Sequence, residues 1–175
     1  ALSDCAEANI VAVASRTQEK ADRFGEKWNI PRCYASYSEL VQDPDVDVVY
    51  IGTPHSHHYD NMKLCLNAGK HVLCEKAFTL NAAQAKECID LARAKGLFLM
   101  EAMWTRFFPA MRQVQSWLDD GVIGDVRLVT ADFCFNLPYD PAHRLYNPKL
   151  GGGALLDLGI YPLSLAAMVL GMPQQ

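Results

Sequence analysis

Short apolar runs alternate with amphipathic stretches between residue 9 and about residue 100. The apolar runs predict four strands, at residues 9–14, 46–52, 71–74 and 97–100. Between them, apolar residues recur at helical spacing, as in Ala21, Phe24 and Trp28. Strands that are apolar throughout and alternate with helices are typical of a parallel sheet that helices cover on both faces.

Polar caps and glycines set the expected ends of the helices. Thr17 and Asn81 can each cap a helix, and Ser36 opens a possible capping box for a short one. Gly69 and Gly96 stand where a helix usually ends, the first of them after a helix over 57–67.

The pattern changes after Glu101, and we expect a domain boundary near Met103. Pro109 fits the first turn of a helix, residues 126–135 predict a longer strand, and the Gly-rich stretch 151–153 leads into an apolar helix. The predicted fold class is α/β. A doubly wound parallel-sheet domain is expected at 1–102, and the start of an α/β substrate domain at 103–175.

We expect neither domain to be complete. In a doubly wound nucleotide-binding fold the first strand lies centrally and is followed by a Gly-rich phosphate turn. The residues before Asn9 instead resemble the tail of a helix, and one strand and one helix after Met103 cannot close a second core. The pattern therefore predicts a fragment that is truncated at both ends.

Composition narrows the classes of partner. The net charge of −4 includes no basic patch for nucleic acid and no polybasic stretch for a membrane surface. The apolar runs at 48–50 and 97–100 are too short to span a bilayer. Six cysteines without a CxxC pair, and no secretory leader, are typical of reduced thiols in a cytoplasmic protein. We therefore expect a small-molecule ligand, no nucleic acid and no membrane.

The first candidate binding site is Ser15, Arg16 and Thr17, just past the strand at 9–14. In a nucleotide-binding βαβ unit this position contacts the adenosine ribose. An acidic residue there selects NAD, whereas Arg16 offers a bidentate donor for the 2′-phosphate of NADP. The sequence therefore favours NADP over NAD; the alternative is that Arg16 is a solvated loop residue.

A second candidate site follows the strand at 46–52. Gly52 lets a ligand approach the backbone closely, and Thr53 can donate hydrogen bonds to it. His55 and His58 come next and, with His57, could suggest a metal. No acidic or Cys partner stands at ligand spacing, so we predict a cofactor site without a metal.

Glu75 and Lys76 follow the next strand, at the edge of the sheet where ligands bind in parallel α/β proteins. A structural salt bridge is the other interpretation. Together with EAMWTRFFP at 101–109 and GGGALLDLGIY at 151–161, this pair resembles the glucose–fructose oxidoreductase/inositol dehydrogenase family. The resemblance implies an amino-terminal Rossmann domain that binds NAD(P). It also implies a carboxyl-terminal α/β domain with an open antiparallel sheet, which covers the substrate and often forms the oligomer interface, here of a homodimer.

The same resemblance implies roles for individual residues. Lys76 matches the family's catalytic lysine, with Ala77 where the motif usually has Pro. Many members have His four residues after Asp157, but this chain has Tyr161, like a subgroup that oxidises trans-dihydrodiols and D-xylose with NADP. Lys76 and Tyr161 would then be the proton-transfer pair, with Asp157 orienting them or the substrate. The further cofactor-binding residues that the resemblance implies are Glu75, Lys76, Trp104 and Arg106.

The expected activity is NADP-dependent oxidation of a dihydrodiol or an aldose. A Lys ammonium beside a Tyr hydroxyl favours the phenolate, which can accept the proton that an alcohol loses. Trp104, Phe107 and Phe133 would form an apolar wall for the substrate, or else belong to the core. Two alternatives stay open, a dehydrogenase of another cyclic polyol and a non-catalytic NADP-binding sensor. A sensor needs neither Lys76 nor Tyr161, so their presence argues for catalysis.

Overall fold

The computed structural model describes residues 2–173, which fall into two compact units. The first unit runs up to Ile51 and also includes Tyr59–Cys74 and Ala85–Met100. The second consists of Gly52–His58, Glu75–Gln84 and the chain from Glu101 onwards. The units therefore interleave along the sequence, and the domain limits at 1–102 and 103–175 stay predictions.

Five strands form two sheets in the described part of the chain. They are β1 (Ala12–Ala14), β2 (Arg32–Tyr34), β3 (Val48–Ile51), β4 (His71–Glu75) and β5 (Leu99–Ala102). β1 pairs with β2 in parallel, and β3 pairs with β4 in parallel, with β5 on the far side of β4. The parallel α/β prediction is confirmed. β2 was not predicted, because its three residues carry no apolar run.

Within residues 2–173, six α-helices separate or follow the strands. They are α1 (Gln18–Trp28), α2 (Tyr37–Leu40), α3 (His58–Asn67), α4 (Ala82–Lys95), α5 (Pro109–Asp119) and α6 (Ile160–Leu170). The expected caps are confirmed: the side chains of Thr17, Ser36 and Asn81 each accept a backbone N–H three residues ahead. Gly69 and Gly96 take φ of 77° and 65°, as helix-ending glycines commonly do.

The core of the first unit contains three of the six cysteines. Cys65, Cys74 and Cys88 are buried, as expected, among apolar side chains such as Met62 and Leu66. Burial raises the pKa of Cys65 to about 12 and that of Cys88 to about 11. The six cysteines are present as thiols and not as disulfides; the cytoplasmic location stays a prediction.

The strand expected at 126–135 is wrong. No strand is described between residues 103 and 173. A strand needs a neighbour to receive its backbone hydrogen bonds, and the described residues offer none to this segment. The antiparallel sheet that the resemblance implies stays a prediction.

The predicted apolar helix after residues 151–153 belongs to a longer apolar stretch. By length and composition alone, Pro148–Leu170 is long and apolar enough to cross a membrane, and it contains an 18-residue window with a mean hydropathy of 1.7. A single such stretch is weak evidence, because core helices of soluble proteins pass the same test. A turn at 151–153 and an irregular helical turn also interrupt it. The expected lack of a membrane partner stays a prediction.

Candidate active site

A tight glycine turn in the second unit precedes the helix that carries two predicted site residues. Gly151 has φ of +74°, and a Cβ there would lie 2.6 Å from Leu80 and 2.8 Å from His55. A Cβ on Gly152 would lie 2.7 Å from the carbonyl oxygen of Arg144. The His55 ring nitrogen Nδ1 lies 2.9 Å from the carbonyl oxygen of Gly151. Positions 151 and 152 therefore need glycine for close packing. The carbonyl of Gly151 is also hydrogen-bonded to the His55 ring.

The helix after this turn is irregular where Asp157 lies. Leu155–Gly159 form a π-helical turn, and the chain continues as α6 from Ile160. Tyr161 therefore stands in the first turn of α6. The predicted helix is confirmed, and it begins with an irregular turn that the sequence did not indicate. Single π-helical turns are frequent at functional sites.

Lys76 and Asp157 form a buried ion pair. Lys76 Nζ donates to Asp157 Oδ1 at 2.9 Å and to the Asp157 carbonyl oxygen at 2.7 Å. Arg144 Nη1 lies 3.3 Å from the same carboxylate oxygen, and His55 Nε2 lies 4.0 Å from it. Burial alone would raise the pKa of Asp157, but the hydrogen bond from Lys76 and the charges of Lys76 and Arg144 lower it overall. Asp157 is therefore held as a carboxylate that fixes the Lys76 ammonium.

Tyr161 meets Lys76 through its ring. Lys76 Nζ lies 5.0 Å from the ring centre, while the phenol oxygen accepts a hydrogen bond from Trp104 Nε1 at 2.9 Å. The Phe133 ring packs edge-on against Tyr161 at 4.9 Å. Trp104, Phe107 and Phe133 are each about half exposed. Their exposure favours the apolar-wall interpretation over the core one.

His58 is fully buried, and its ring lies between two backbone carbonyls. Nδ1 lies 2.8 Å from the Ala77 oxygen, and Nε2 lies 2.8 Å from the Thr53 oxygen. Burial lowers the pKa of His58, although both carbonyls favour the protonated form. A neutral imidazole has one N–H and donates to one of these carbonyls at a time. Through these two contacts, His58 links the segment after β3 to the segment after β4.

The first-unit cofactor candidates lie at the carboxyl end of β1. The Ser15 N–H donates to the Tyr34 carbonyl, and Thr17 caps α1. Arg16 is exposed and has no hydrogen-bond or ion-pair partner among the described residues. Of the three, only Arg16 leaves its charged side chain available to a ligand.

The remaining cofactor candidates lie in the second unit. Gly52 is exposed directly after β3. Glu75 accepts the backbone N–H of Lys76 at 3.2 Å, and the Lys76 side chain donates to Asp157. Arg106 Nε donates to Ser164 Oγ at 2.8 Å. No group of three or more His, Cys, Asp or Glu side chains within residues 2–173 is placed to hold a metal ion.

Sequence reasoning missed two charged residues beside the site. Arg144 approaches Asp157 from a loop that no motif marks. Glu101 accepts the Phe78 N–H at 2.9 Å. Burial raises the pKa of Glu101, although that hydrogen bond and the nearby positive charge of Arg106 each act to lower it. The motif at 101–109 begins with Glu101 and was the available signal for this residue.

Two family descriptions match this chain. Residues 1–103 match an oxidoreductase family with an NAD-binding Rossmann fold, and residues 111–175 match the GFO/IDH/MocA C-terminal domain. The trans-1,2-dihydrobenzene-1,2-diol dehydrogenase of Bos taurus is 50% identical over 94% of this chain and 49% of its own length. The D-xylose 1-dehydrogenase (NADP(+)) of Hypocrea jecorina is 49% identical over 89% of this chain and 43% of its own length. The chain spans about half the length of the curated relatives it matches.

Solved structures agree with this assignment. The aldose-aldose oxidoreductase from Caulobacter crescentus, complexed with glycerol, superposes with a TM-score of 0.89 at 34% identity, over 97% of this chain and 52% of its own. A 3-ketoreductase from Actinomadura kijaniata, in complex with NADP and TDP-benzene, gives a TM-score of 0.84 at 37% identity, over 97% of this chain and 52% of its own. Fold and sequence therefore agree with the resemblance read from the three motifs, and the chain belongs to the GFO/IDH/MocA oxidoreductase family, with an NAD-binding Rossmann fold.

Proposed function

We propose that this chain supplies cofactor-binding and catalytic residues to an NADP-dependent dehydrogenase of trans-dihydrodiols or of aldoses such as D-xylose. The main observation in support is the cluster of Lys76, Asp157 and Tyr161. In it, an ion pair with Asp157 holds the Lys76 ammonium over the ring of Tyr161. The names of the Bos taurus and Hypocrea jecorina relatives support the substrate class.

The residues present fit NADP as the cofactor. Arg16 is exposed, lacks a partner among the described residues and stands just past β1, where a guanidinium suits a 2′-phosphate. The names of the Hypocrea jecorina relative and the Actinomadura kijaniata structure include NADP. When bound, NADP supplies the acceptor for the hydride that an alcohol carbon loses.

The chain's own residues would handle the proton. As the alcohol becomes a carbonyl, its hydroxyl proton passes to the Tyr161 oxygen. The fixed ammonium of Lys76 favours the phenolate form of Tyr161, which accepts this proton. Asp157 keeps the ammonium in place through its two hydrogen bonds.

The test is an assay of the full-length gene product with NADP⁺ and, separately, trans-dihydrobenzenediol, D-xylose and a cyclic polyol. We expect NADPH formation with the diol or the sugar, and a large loss in the Lys76→Met variant. Turnover of the cyclic polyol alone would favour the other dehydrogenase. No turnover with intact NADPH binding would instead indicate a sensor.

We also propose that the full-length gene product forms a homodimer. The proposal rests on the family resemblance, in which the carboxyl-terminal domain often forms the oligomer interface. Size-exclusion chromatography with light scattering measures the mass in solution. A monomeric mass at micromolar concentration would contradict it.

A further inference from the structure

We propose that Trp104 is a positioning residue for proton transfer, whose indole N–H holds the phenol oxygen of Tyr161 and stabilises negative charge on it. This inference rests on the proposed function, because the tyrosine oxygen matters only if it exchanges a proton with the substrate. It gives Trp104 a role beyond the cofactor contact or apolar wall that the sequence suggested.

The geometry fixes the indole relative to the phenol. Trp104 Nε1 lies 2.9 Å from the Tyr161 oxygen, and the two rings meet edge to face with centres 5.8 Å apart. Phe108 packs edge-on against Trp104 at 5.0 Å. Trp104 begins the short 3₁₀ helix Trp104–Phe107, which leads into Pro109 and α5. The indole is therefore held by aromatic packing as well as by the hydrogen bond.

The chemistry of the two groups sets the direction of the hydrogen bond. An indole nitrogen can only donate, so the phenol oxygen must accept, and its own O–H stays available to another partner. Trp104 is the only donor to this oxygen among the described residues. Hydrogen bonds to charged acceptors are stronger than neutral ones. The indole therefore stabilises the phenolate, which is the form that accepts the alcohol's proton, more than the phenol.

Charged groups also surround this tyrosine. Lys76 lies 5.0 Å from the ring centre, and Asp157 neutralises much of its charge. Arg144 and His55 face Asp157 rather than the phenol oxygen in the described contacts. Since the cation lies over the ring, the indole is the group that acts on the oxygen itself.

The hydrogen bond can be tested without any activity measurement. We would label the full-length gene product with isotopic tryptophan and compare the indole N–H resonances of the parent and Tyr161→Phe. Losing the acceptor should shift the Trp104 resonance and speed its hydrogen exchange. Trp28 and Trp117, both about half exposed, are internal controls and should not move. An unchanged Trp104 resonance would overturn the inference.

The role in proton transfer is tested by removing the N–H while keeping a ring. Trp104→Phe should lower kcat by about 10- to 100-fold, the range for a hydrogen bond to a charged group. KM for NADP⁺ should stay within about threefold. In the pH profile of kcat for alcohol oxidation, the limb that reports loss of the proton from the acceptor group should move to higher pH. The reason is that the phenolate loses its hydrogen-bond donor. Trp117→Phe, the matched control, should behave as the parent.

A second variant separates the N–H from the shape of the ring. Benzothienylalanine at position 104 replaces the indole N–H by sulfur and keeps the two fused rings. If it behaves like Trp104→Phe, the N–H is responsible; if it keeps the parent's kcat and pH profile, the inference is wrong. An inactive parent enzyme would overturn the proposed function instead, and the resonance comparison would then decide this inference alone.

Discussion

Lys76 binds Asp157 twice, through the carboxylate and through the backbone carbonyl, across 81 residues of sequence. Two of the three N–H donors of the ammonium are therefore committed to one residue. The carboxylate is in turn shared with Arg144. Asp157 thus fixes both the position of the lysine and the direction of its remaining donor.

Replacing Asp157 by Asn should lower kcat by about 10- to 100-fold, because the amide loses the charged half of the hydrogen bond to Lys76. NADP affinity should change little. Steady-state kinetics and cofactor titration on the full-length gene product measure both. Asp125→Asn is the control, since Asp125 pairs with Arg127 on the surface. An Asp157→Asn enzyme as active as this control would contradict the positioning role.

Tyr161→Phe removes the proton acceptor and keeps the ring, so kcat should fall by roughly 10²- to 10⁴-fold with cofactor affinity almost unchanged. Lys76→Met should lower activity comparably. The double variant should be little worse than either single one, because the two residues act as a unit.

The control for these variants is Tyr139→Phe, since Tyr139 is an exposed tyrosine of the same unit. Its kcat should match the parent's. If Tyr161→Phe also stays within about threefold of the parent, the tyrosine is a packing residue and the acid–base assignment is wrong.

Arg16→Ala should weaken NADP binding by about 1.5–3 kcal/mol and leave NAD binding nearly unchanged, because only NADP carries the 2′-phosphate. Titration of both cofactors into parent and variant measures the difference. Arg23→Ala, an exposed arginine on α1, is the control. Equal losses for NADP and NAD would remove the argument for Arg16.

The lowered pKa of Asp157 predicts a pH dependence of stability. A carboxylate whose pKa is lower in the folded state stabilises it above the unfolded value, about 4, and this stabilisation is lost as pH falls through the folded value. The parent should therefore exceed Asp157→Asn in free energy of unfolding at about pH 7, with the gap narrowing below about pH 4. Denaturant unfolding across this range measures it. A gap that is constant with pH would show that the charge of Asp157 does not contribute.

Much of the fold could be predicted because its signals are local. Thr17 and Asn81 cap helices through residues only three positions away, and Gly69 ends a helix by its own backbone conformation. The prediction of a strand at 126–135 was wrong because a strand depends on more than local signals. Its β-rich composition is local, but strand formation depends on a partner elsewhere in the chain.

The site residues also divide into those that local motifs identified and those that only the folded structure reveals. Motifs singled out Lys76, Asp157 and Tyr161, which the structure brings together. Nothing in the sequence marks the approach of Arg144 to Asp157 or of the Trp104 indole to the phenol oxygen, since both are tertiary contacts between segments without a shared motif. The irregular turn at Asp157 was equally hidden, because the residue spacing suits a regular helix.

That irregular turn, Leu155–Gly159, constrains how this segment can change in length. A π-helical turn is an α-helix with one residue inserted, and each residue of an α-helix turns the chain by about 100°. Deleting one residue between Asp157 and Tyr161 would restore a regular helix but rotate one side chain away from the other's direction. Neither a substitution nor the loss of a whole turn has this effect. The number of residues between the carboxylate and the phenol therefore sets the relative direction of the two side chains.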